Sequence, residues 1–220
     1  MTRPLRGLYA VTPDTENTSG LLKAVEAVVS VGACALQYRN KRASPELRQA
    51  QARALSAICR AHGVPLIIND HLDLALQIDA DGLHLGDADG SVSQARSRLG
   101  PGKLLGVSCY NRLELAIDAA RLGADYVAFG SFFASGSKPA AVRAPITLLR
   151  EARQRLGLPL IAIGGITVEN ASRLFAEGAD AVAVIGALFD SPDPGAAATR
   201  FAAIVSSGIG EAPPRERLAN

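Results

Sequence analysis

Eight short apolar runs recur along the chain of 220 residues, and stretches of helical character lie between them. The runs are apolar without alternation, which is typical of strands buried on both faces of a parallel sheet. Strands that alternate with helices predict such a sheet, and eight units in about 200 residues predict a closed α/β fold, the (β/α)8 TIM barrel, rather than an open sheet. The predicted strands span residues 7–12, 35–39, 66–70, 82–86, 104–109, 126–131, 160–165 and 181–186.

Proline and glycine residues mark helix boundaries between these strands. Pro45 suits a first helical turn, with Ser44 before it as the N-cap and Gly63 as the stop. No change in composition suggests a linker, so we expect one barrel domain over residues 1–207 and a disordered polar tail over residues 208–220. The other predicted helices span residues 21–31, 71–78, 113–122, 146–156 and 171–177.

Composition and charge exclude several classes of function. A net charge of +2 and few aromatic side chains argue against a nucleic-acid partner. The most apolar segments are about half as long as a membrane helix requires, so we expect no membrane association. Cys34, Cys59 and Cys109 are too scattered for a disulfide framework or a zinc site. Because the N-terminus lacks the pattern of a signal peptide, a reducing cytoplasm is the expected compartment.

The active site of such a barrel lies at the C-terminal ends of its strands, so the residues that follow each strand are the candidates. The second, third and fourth strands are neighbours, and their ends carry Arg39, Lys41, Asp70 and Asp89. Mg2+ takes one or two carboxylates together with waters and phosphate oxygens, while arginine and lysine bind phosphate directly. Cations and carboxylates on one rim therefore predict a Mg2+–diphosphate site.

A second phosphate site is predicted on the other side of the rim. Gly164 and Gly165 after the seventh strand, and Gly186 after the eighth, stand where barrels hold a phosphate with backbone N–H groups. Lys138, in the loop after the sixth strand, could reach over the cavity between the two sites. Two phosphate sites around one cavity suggest two phosphorylated small molecules as substrates.

Each of these residues also has an ordinary structural interpretation. Asp70 could cap the next helix, Asp89 could be a turn residue, and the glycines could serve only the strand-to-helix turn. His84 lies in the middle of a strand, where a packed barrel histidine is a better interpretation than a catalytic base. The joint placement of the charged residues on consecutive strand ends nevertheless favours a functional rim.

A series of motifs occurs in an order that resembles the thiamine phosphate synthase family, over roughly residues 6–190. The most specific are the Q-x-R-x-K pattern, the N-D pair, the later Asp89 and the serine-containing loop that ends in Lys138. The fold that the resemblance implies agrees with the barrel predicted from periodicity. The matching segments are QYRNK, LIINDHLDLAL, ADGLHLGDAD, GVSCYN, ADYVAFGSFFASGSKP, IAIGGIT and GADAVAVIGALF.

The resemblance implies that hydroxymethylpyrimidine diphosphate and a thiazole phosphate condense, through a cation-like pyrimidine, to thiamine phosphate and pyrophosphate. Arg39, Lys41 and Lys138 would be the catalytic residues that stabilise the departing pyrophosphate, and Asp70 and Asp89 would hold Mg2+ as the cofactor. The implied contacts to the pyrimidine diphosphate are Gln37, Arg39, Lys41, Asn69, Ser108 and Lys138, and those to the thiazole phosphate are Ser135, Gly136, Ser137, Gly165, Ile185 and Gly186.

The chain departs from the family pattern mainly at the thiazole contacts. Serines stand at 135 and 137 where threonines are common, and they keep the hydroxyl group. Ala134 replaces a common proline. Gly186 stands where a serine is common, so that only its backbone N–H remains for the phosphate. The metal and diphosphate residues match the pattern in full.

Three other functions are weighed against the synthase. A thiazole tautomerase-like isomerase would share the barrel and the thiazole phosphate pocket but would not need the whole diphosphate set. A sugar-phosphate epimerase or aldolase needs a general base pair or a Schiff-base lysine within the barrel, and the predicted strands contain no lysine. A non-catalytic regulator would have lost diphosphate ligands. As partners we expect small phosphorylated substrates, and a homodimer is the assembly left open, as is a carboxylate on the thiazole.

Overall fold

Eight parallel strands close into one barrel in the computed structural model, which describes residues 5–86, 90–134 and 142–206. Each strand pairs with its neighbours in chain order, and the last pairs with the first. Every strand begins at the residue that the pattern predicts, so the (β/α)8 prediction is confirmed. The strands are β1 (Gly7–Val11), β2 (Ala35–Tyr38), β3 (Leu66–Asn69), β4 (Gly82–Leu85), β5 (Leu104–Tyr110), β6 (Tyr126–Gly130), β7 (Leu160–Ile163) and β8 (Ala181–Val184).

The predicted helices are present and agree with their predicted ends to within a few residues. Ser44 caps α2 by accepting a hydrogen bond from the Leu47 backbone N–H at 3.2 Å, and Gly63 ends the helix at φ 62°. The helices are α1 (Thr18–Val29), α2 (Pro45–His62), α3 (Leu72–Gln77), α4 (Val92–Leu99), α5 (Leu113–Arg121), α6 (Thr147–Arg155), α7 (Val168–Ala176), α8 (Gly186–Phe189) and α9 (Pro194–Ser206).

Three helices have no counterpart among the predicted ones, and each has a weak apolar pattern. The helix α4 carries mostly polar residues, and α8 is a single turn. The apolar face of α9 consists largely of alanines, of which Ala197 and Ala198 are fully buried beside Phe201. Small residues give a weak periodic signal, although they let this last helix pack closely against α1 and the barrel.

Successive residues of each strand face two different apolar layers. The outer layer fills the space between the strands and the helices and includes Leu36, Leu55 and Leu83. The inner layer fills the barrel itself, where Tyr9 and Tyr126 pack among small and branched side chains. The other members of the inner layer include Val11, Ala35, Ile67, Ala128, Ile161 and Ala183.

The three cysteines are buried and unpaired, as their spacing indicated. Cys59 and Cys109 belong to the outer layer, and Cys34 belongs to the inner one. Desolvation by burial raises the pKa of each thiol to about 12, so that all three stay protonated and serve as small apolar groups.

Three aspartates join adjacent strands at the N-terminal end of the barrel. Asp81, Asp125 and Asp180 each stand just before a strand. Each accepts a hydrogen bond of 2.7 to 2.9 Å from a backbone N–H near the start of the preceding strand. The donors are the N–H groups of Leu66, Leu105 and Leu160 respectively. We call these residues the aspartate staples.

Two of the aspartate staples also bind an arginine from the helix that covers them. Arg96 of α4 pairs with Asp125 and donates to the carbonyl oxygens of Gly123 and Gly100. Arg153 of α6 pairs with Asp180 at 2.5 Å and donates to the carbonyl oxygen of Gly178. These contacts fix the N-terminal end of the barrel and leave the opposite end for chemistry. No helix within the described ranges is both long enough and apolar enough to cross a membrane.

Candidate active site at the C-terminal rim

The strand-two end of the rim is held by residues that follow β1. The Thr12 hydroxyl donates to the carbonyl oxygen of Arg39 and accepts from its backbone N–H, both at 2.9 Å. The Asp14 carboxylate accepts from the Arg39 guanidinium at 3.0 Å and from the Lys41 backbone N–H at 2.9 Å through the same oxygen. The loop that carries both predicted cations is thereby fixed before any substrate enters.

Lys41 reaches across to the next strand. Its ammonium group lies 3.1 Å from the carboxylate of Asp70, and the lysine side chain is 50% exposed while that of Asp70 is 14% exposed. The structure therefore brings together three of the residues predicted for the diphosphate site, Arg39, Lys41 and Asp70, on the adjacent ends of β2 and β3. Asn69 stands beside them at the end of β3, opposite His84 of β4.

The backbone turn at Asp70 excludes the helix-cap interpretation of this residue. Asp70 has φ 63°, and the His71 N–H donates to the carbonyl oxygen of Asn69 at 2.8 Å, which closes a three-residue turn. His71, not Asp70, is the residue that precedes α3. A non-glycine residue in the left-handed region is uncommon and concentrates at functional sites. Here it coincides with the carboxylate that faces Lys41.

The interior end of the rim carries a line of hydrogen-bonded polar side chains. Gln37 donates to the Tyr9 hydroxyl at 3.1 Å, and the Tyr9 and Tyr126 hydroxyls lie 2.8 Å apart. The ring nitrogens of His84 then contact the Tyr126 hydroxyl at 3.1 Å and the Ser108 hydroxyl at 2.9 Å. His84 is thus a packed barrel histidine, as predicted, but it is also connected to two of the predicted pyrimidine contacts, Gln37 and Ser108.

Strand five changes its pairing at the predicted pyrimidine contact. Ser108 is opposite Ala128 of β6, whereas Tyr110 is opposite Phe129, so that Cys109 is an extra residue in β5. Bulges of this kind occur next to active sites, where they change the direction of a side chain. Ser108 is half-buried, which places it between the packed interior and the open rim.

The glycines after β7 allow the loop that follows β6 to pack directly on the strand end. Gly164 and Gly165 have φ values of 105° and 64°. A Cβ atom at Gly165 would lie 2.1 Å from the Ala134 carbonyl oxygen, and one at Gly164 would lie 2.1 Å from the Ser131 hydroxyl. The carbonyl oxygen of Gly164 accepts from the Phe133 N–H at 2.9 Å. Both glycines are therefore required by the turn and by this close approach.

Strand eight ends at the start of a one-turn helix. Ile185 and Gly186 are half-buried there, and α8 begins at Gly186. Asn170 of α7 donates to the carbonyl oxygen of Gly165 at 3.1 Å, which ties the start of α7 to the turn after β7. The predicted thiazole phosphate residues Gly165, Ile185 and Gly186 thus lie on adjacent strand ends, as a phosphate site of this fold requires.

A cavity of about 480 Å³ lies beside the rim, between α2 and α3. Asp70 and His71 form part of its wall, together with Arg48 and Asp73. Arg48 donates to the carbonyl oxygens of Asn40 and Ala43 and so belongs to the support of the loop that carries Lys41. The cavity adjoins the diphosphate side of the rim rather than the barrel axis.

Several predicted site residues lie outside the described ranges. These are Asp89 of the predicted metal site, the thiazole phosphate residues Ser135, Gly136 and Ser137, and the catalytic lysine Lys138. Among the residues that are described, no group of three histidine, cysteine or carboxylate side chains could hold a metal ion by itself. Of the two predicted metal ligands, Asp70 is the one that lies within the described residues.

The sequence reasoning missed the supporting residues on β1 and on its loop. Thr12 and Asp14 come directly after the first strand, at the same kind of position that identified Arg39 and Asp70. Applying the strand-end rule to β1 would have found both. No such signal identified Tyr9, because a tyrosine in an apolar strand is normally interpreted as a core residue.

Known proteins match this chain over most of its length. A family model described as thiamine monophosphate synthase matches residues 8–188. The thiamine-phosphate synthase of Methylobacillus flagellatus is 56% identical over 198 residues, which are 90% of this chain and 94% of that protein. That of Aromatoleum aromaticum is 51% identical over 197 residues, which are 90% and 95% of the two chains.

Solved structures agree with the sequence relatives. A thiamine phosphate pyrophosphorylase from Pyrococcus furiosus has a TM-score of 0.82 at 30% identity and covers 91% of this chain and 96% of its own. A 3-hexulose-6-phosphate synthase, with a TM-score of 0.70 at 18% identity over 90% of this chain and 99% of its own, shares the fold alone. The chain belongs to the thiamine monophosphate synthase family.

Proposed function

We propose that this chain joins hydroxymethylpyrimidine diphosphate to a thiazole phosphate and releases thiamine phosphate and pyrophosphate. The observation that carries the proposal is the adjacency of Arg39, Lys41 and Asp70 on neighbouring strand ends, within a chain that belongs to the thiamine monophosphate synthase family. Such an enzyme is a transferase of the pyrimidinylmethyl group. Its substrates are small phosphorylated molecules, in agreement with the two phosphate sites expected at the rim.

The reaction breaks one bond and forms one. The bond between the methylene carbon and the diphosphate oxygen breaks, and its electron pair leaves with pyrophosphate. The pyrimidine methylene becomes cation-like, and the thiazole ring nitrogen then supplies the electron pair of the new carbon–nitrogen bond. Negative charge therefore develops on the departing pyrophosphate, and positively charged donors fixed around it lower the barrier.

Arg39 and Lys41 are placed to supply those donors. The guanidinium of Arg39 is held by Asp14, and Lys41 is held by Asp70, so the side chains do not have to be ordered when the substrate arrives. Lys41 exchanges Asp70 for a phosphate oxygen as the site fills. Lys138, which lies outside the described residues, is proposed as a third cation on the same diphosphate.

The residues present fit Mg2+ at this position. The Asp70 carboxylate is a hard oxygen donor at the rim, and one or two carboxylates with phosphate oxygens and waters are what Mg2+ requires. Asp70 and Asp89 would hold the ion, which when bound would neutralise charge on the diphosphate. Gln37, Asn69 and Ser108 are proposed to hold the pyrimidine part of the substrate.

The opposite side of the rim is proposed to hold the thiazole phosphate. Gly165, Ile185 and Gly186 would present backbone N–H groups there, and Ser135, Gly136 and Ser137 would complete the site from the neighbouring loop. This arrangement aligns the thiazole nitrogen with the methylene carbon. No proton has to be removed from the nucleophile, since the ring nitrogen already has a free electron pair.

The alternatives fit the described rim less well. A tautomerase has no diphosphate to bind, so the fixed Arg39 and Lys41 would have no role in it. The family membership also disfavours an epimerase or aldolase, which shares only the fold. We further propose a cytoplasmic location, which the three reduced, buried cysteines support.

A coupling assay tests the proposal. Purified protein would be mixed with hydroxymethylpyrimidine diphosphate, thiazole phosphate and Mg2+, and thiamine phosphate would be measured by the fluorescence of its oxidised form. We expect product that EDTA abolishes and that added Mg2+ restores. Folded protein that makes no product, with the carboxylated thiazole also supplied, would reject the synthase and make thiazole tautomerisation the next reaction to assay.

A further inference from the structure

A continuous line of five polar side chains crosses the otherwise apolar interior of the barrel. It runs from Gln37 through Tyr9, Tyr126 and His84 to Ser108, with steps of 3.1, 2.8, 3.1 and 2.9 Å. The first four residues are each no more than 6% exposed. The two ends lie on β2 and β5, on different sides of the barrel, so that the line connects separate parts of the rim.

Strand pairing and one glycine make room for this line inside the barrel. His84, Gly106 and Tyr126 are opposite one another on β4, β5 and β6. A Cβ atom at Gly106 would lie 2.0 Å from the ring carbon that bears the Tyr126 hydroxyl, so only glycine lets that ring cross β5 and reach His84. Apolar side chains would fill the same space without the cost of desolvating hydroxyl and imidazole groups. A fully connected polar network in this place therefore indicates that the arrangement of its hydrogen bonds has a function.

Each tyrosine in the line has one proton to donate. Burial raises the pKa of Tyr9 and of Tyr126 far above the ordinary tyrosine value, so both stay neutral phenols. When Gln37 donates its N–H to Tyr9, Tyr9 must donate to Tyr126, and Tyr126 must donate to one nitrogen of His84. The other nitrogen of His84 then carries the proton and donates to Ser108.

The direction of the line consequently couples its two ends. In the direction just described, the Gln37 carbonyl oxygen stays outside the line, and the Ser108 hydroxyl proton is left to donate to a ligand. If the Gln37 amide were reversed, every bond would reverse, and Ser108 would become an acceptor toward the ligand. If only some of the hydrogen bonds reversed, at least one pair of neighbouring atoms in the line would have two protons between them or none. The rim therefore presents an acceptor at one end together with a donor at the other.

We propose that this line, which we call the polar relay, fixes the hydrogen-bonding polarity of the pyrimidine pocket and selects an aminopyrimidine over an oxopyrimidine. The inference rests on the proposed function. A 4-aminopyrimidine carries an amino donor on one side of its ring and the nitrogen acceptor N1 on the far side, which matches the Gln37 carbonyl and the Ser108 hydroxyl at the two ends. A 4-oxopyrimidine puts an acceptor in place of the amino donor, where it would face the Gln37 carbonyl oxygen. Tyr9, Tyr126 and His84 are positioning residues in this account, since they act through the two ends.

The test compares two substrates rather than one rate. The kcat/KM values for the 4-amino and 4-oxo forms of the pyrimidine diphosphate would be measured for the wild type and for Tyr126→Phe, which removes the central hydroxyl and little else. We expect the preference for the amino form to fall about tenfold, the size of one hydrogen bond. A Tyr126→Phe enzyme that slows equally on both substrates would show a purely structural role and overturn the proposal.

Two further variants make the result independent of a single substitution. Tyr9→Phe breaks the polar relay one step away, and the double variant Tyr9→Phe/Tyr126→Phe should lose little more preference than either single variant, because the relay is already broken. Additive losses would contradict a single coupled line. Tyr38→Phe is the matched control: its buried hydroxyl donates to Gln51 outside the barrel interior, and its preference should equal that of the wild type.

Failure of the inference and failure of the proposed function give different results. A wild-type enzyme that forms no thiamine phosphate from the amino substrate would remove the proposed function, and the inference with it. A wild-type enzyme that is active and selective, with Tyr126→Phe and Tyr9→Phe of unchanged preference, would remove the polar relay alone. If Tyr126→Phe does not fold, Tyr9→Phe and His84→Gln supply the same comparison.

Discussion

At the N-terminal end of the barrel, the paired side chains of Arg153 and Asp180 are 8% and 13% exposed, whereas at the C-terminal end those of Lys41 and Asp70 are 50% and 14% exposed. The first carboxylate also accepts a backbone N–H from the start of β7. The second belongs to a residue in the left-handed region and pairs with a lysine whose side chain is half exposed. Both partners of the ion pair are therefore enclosed at one end of the barrel, whereas at the other end the cation is open to solvent.

The difference lies in what else each carboxylate contacts. The aspartate staples use their oxygens on the backbone of neighbouring strands, so these carboxylates cannot move without disturbing the barrel. Asp14 and Asp70 instead contact cations that the proposed diphosphate would take over. The comparison predicts that changes at the two ends affect different measurements.

The largest effect is expected at the buried staple. Arg153→Met should lower the free energy of unfolding by about 3–5 kcal/mol, because Asp180 would be left buried without its cation. The kcat/KM of the protein that remains folded should stay near that of the wild type. Urea unfolding followed by circular dichroism measures the first quantity. Arg150→Met is the control, since the Arg150 side chain is 66% exposed and the loss of its pair with Glu177 should cost less than about 1 kcal/mol.

Arg39→Met should show the opposite pattern. We expect single-turnover formation of thiamine phosphate to slow by about 10²–10³-fold, as for the loss of one donor to a developing anion. The free energy of unfolding should change by less than about 1 kcal/mol, because the pair with Asp14 is partly exposed to solvent. Single-turnover rates equal to those of the wild type would remove Arg39 from the site.

Asp14 should have an intermediate effect that depends on the substitution. Asp14→Asn keeps an oxygen for the Lys41 N–H, whereas Asp14→Ala removes it and frees the loop. We expect Asp14→Ala to lower kcat/KM about tenfold or more and Asp14→Asn to recover part of that loss. Steady-state kinetics with varied pyrimidine diphosphate would measure both. Equal losses in the two variants would mean that charge, not the hydrogen bond, is what Asp14 supplies.

The smallest expected effect is a gain at Gly186. A Cβ atom there would lie 2.7 Å from an oxygen of Asp190, which is an exposed side chain that can turn away. Gly186→Ser would add the hydroxyl common in the family and should lower the KM for thiazole phosphate about threefold. An unchanged or higher KM would indicate that the backbone N–H already satisfies that phosphate oxygen.

The sequence predicted the barrel well because its strands are buried on both faces and give unbroken apolar runs. It also predicted which residues meet at the rim, since parallel strands end at one edge: Arg39, Lys41 and Asp70 are adjacent as expected. The position of Asp14 beneath two of them depends on side-chain direction in a loop, which periodicity does not encode. The polar relay was likewise hidden, because Tyr9 and Tyr126 satisfy an apolar pattern while their hydroxyls meet across the barrel.

Calorimetry with Mg2+ and pyrophosphate tests most directly whether the C-terminal rim binds a diphosphate. We expect the wild type and Arg150→Met to bind pyrophosphate with equal affinity and Arg39→Met to bind it at least about tenfold more weakly. Equal affinity in all three proteins would contradict the account, because the anion would then be held by something other than the fixed cations of the rim.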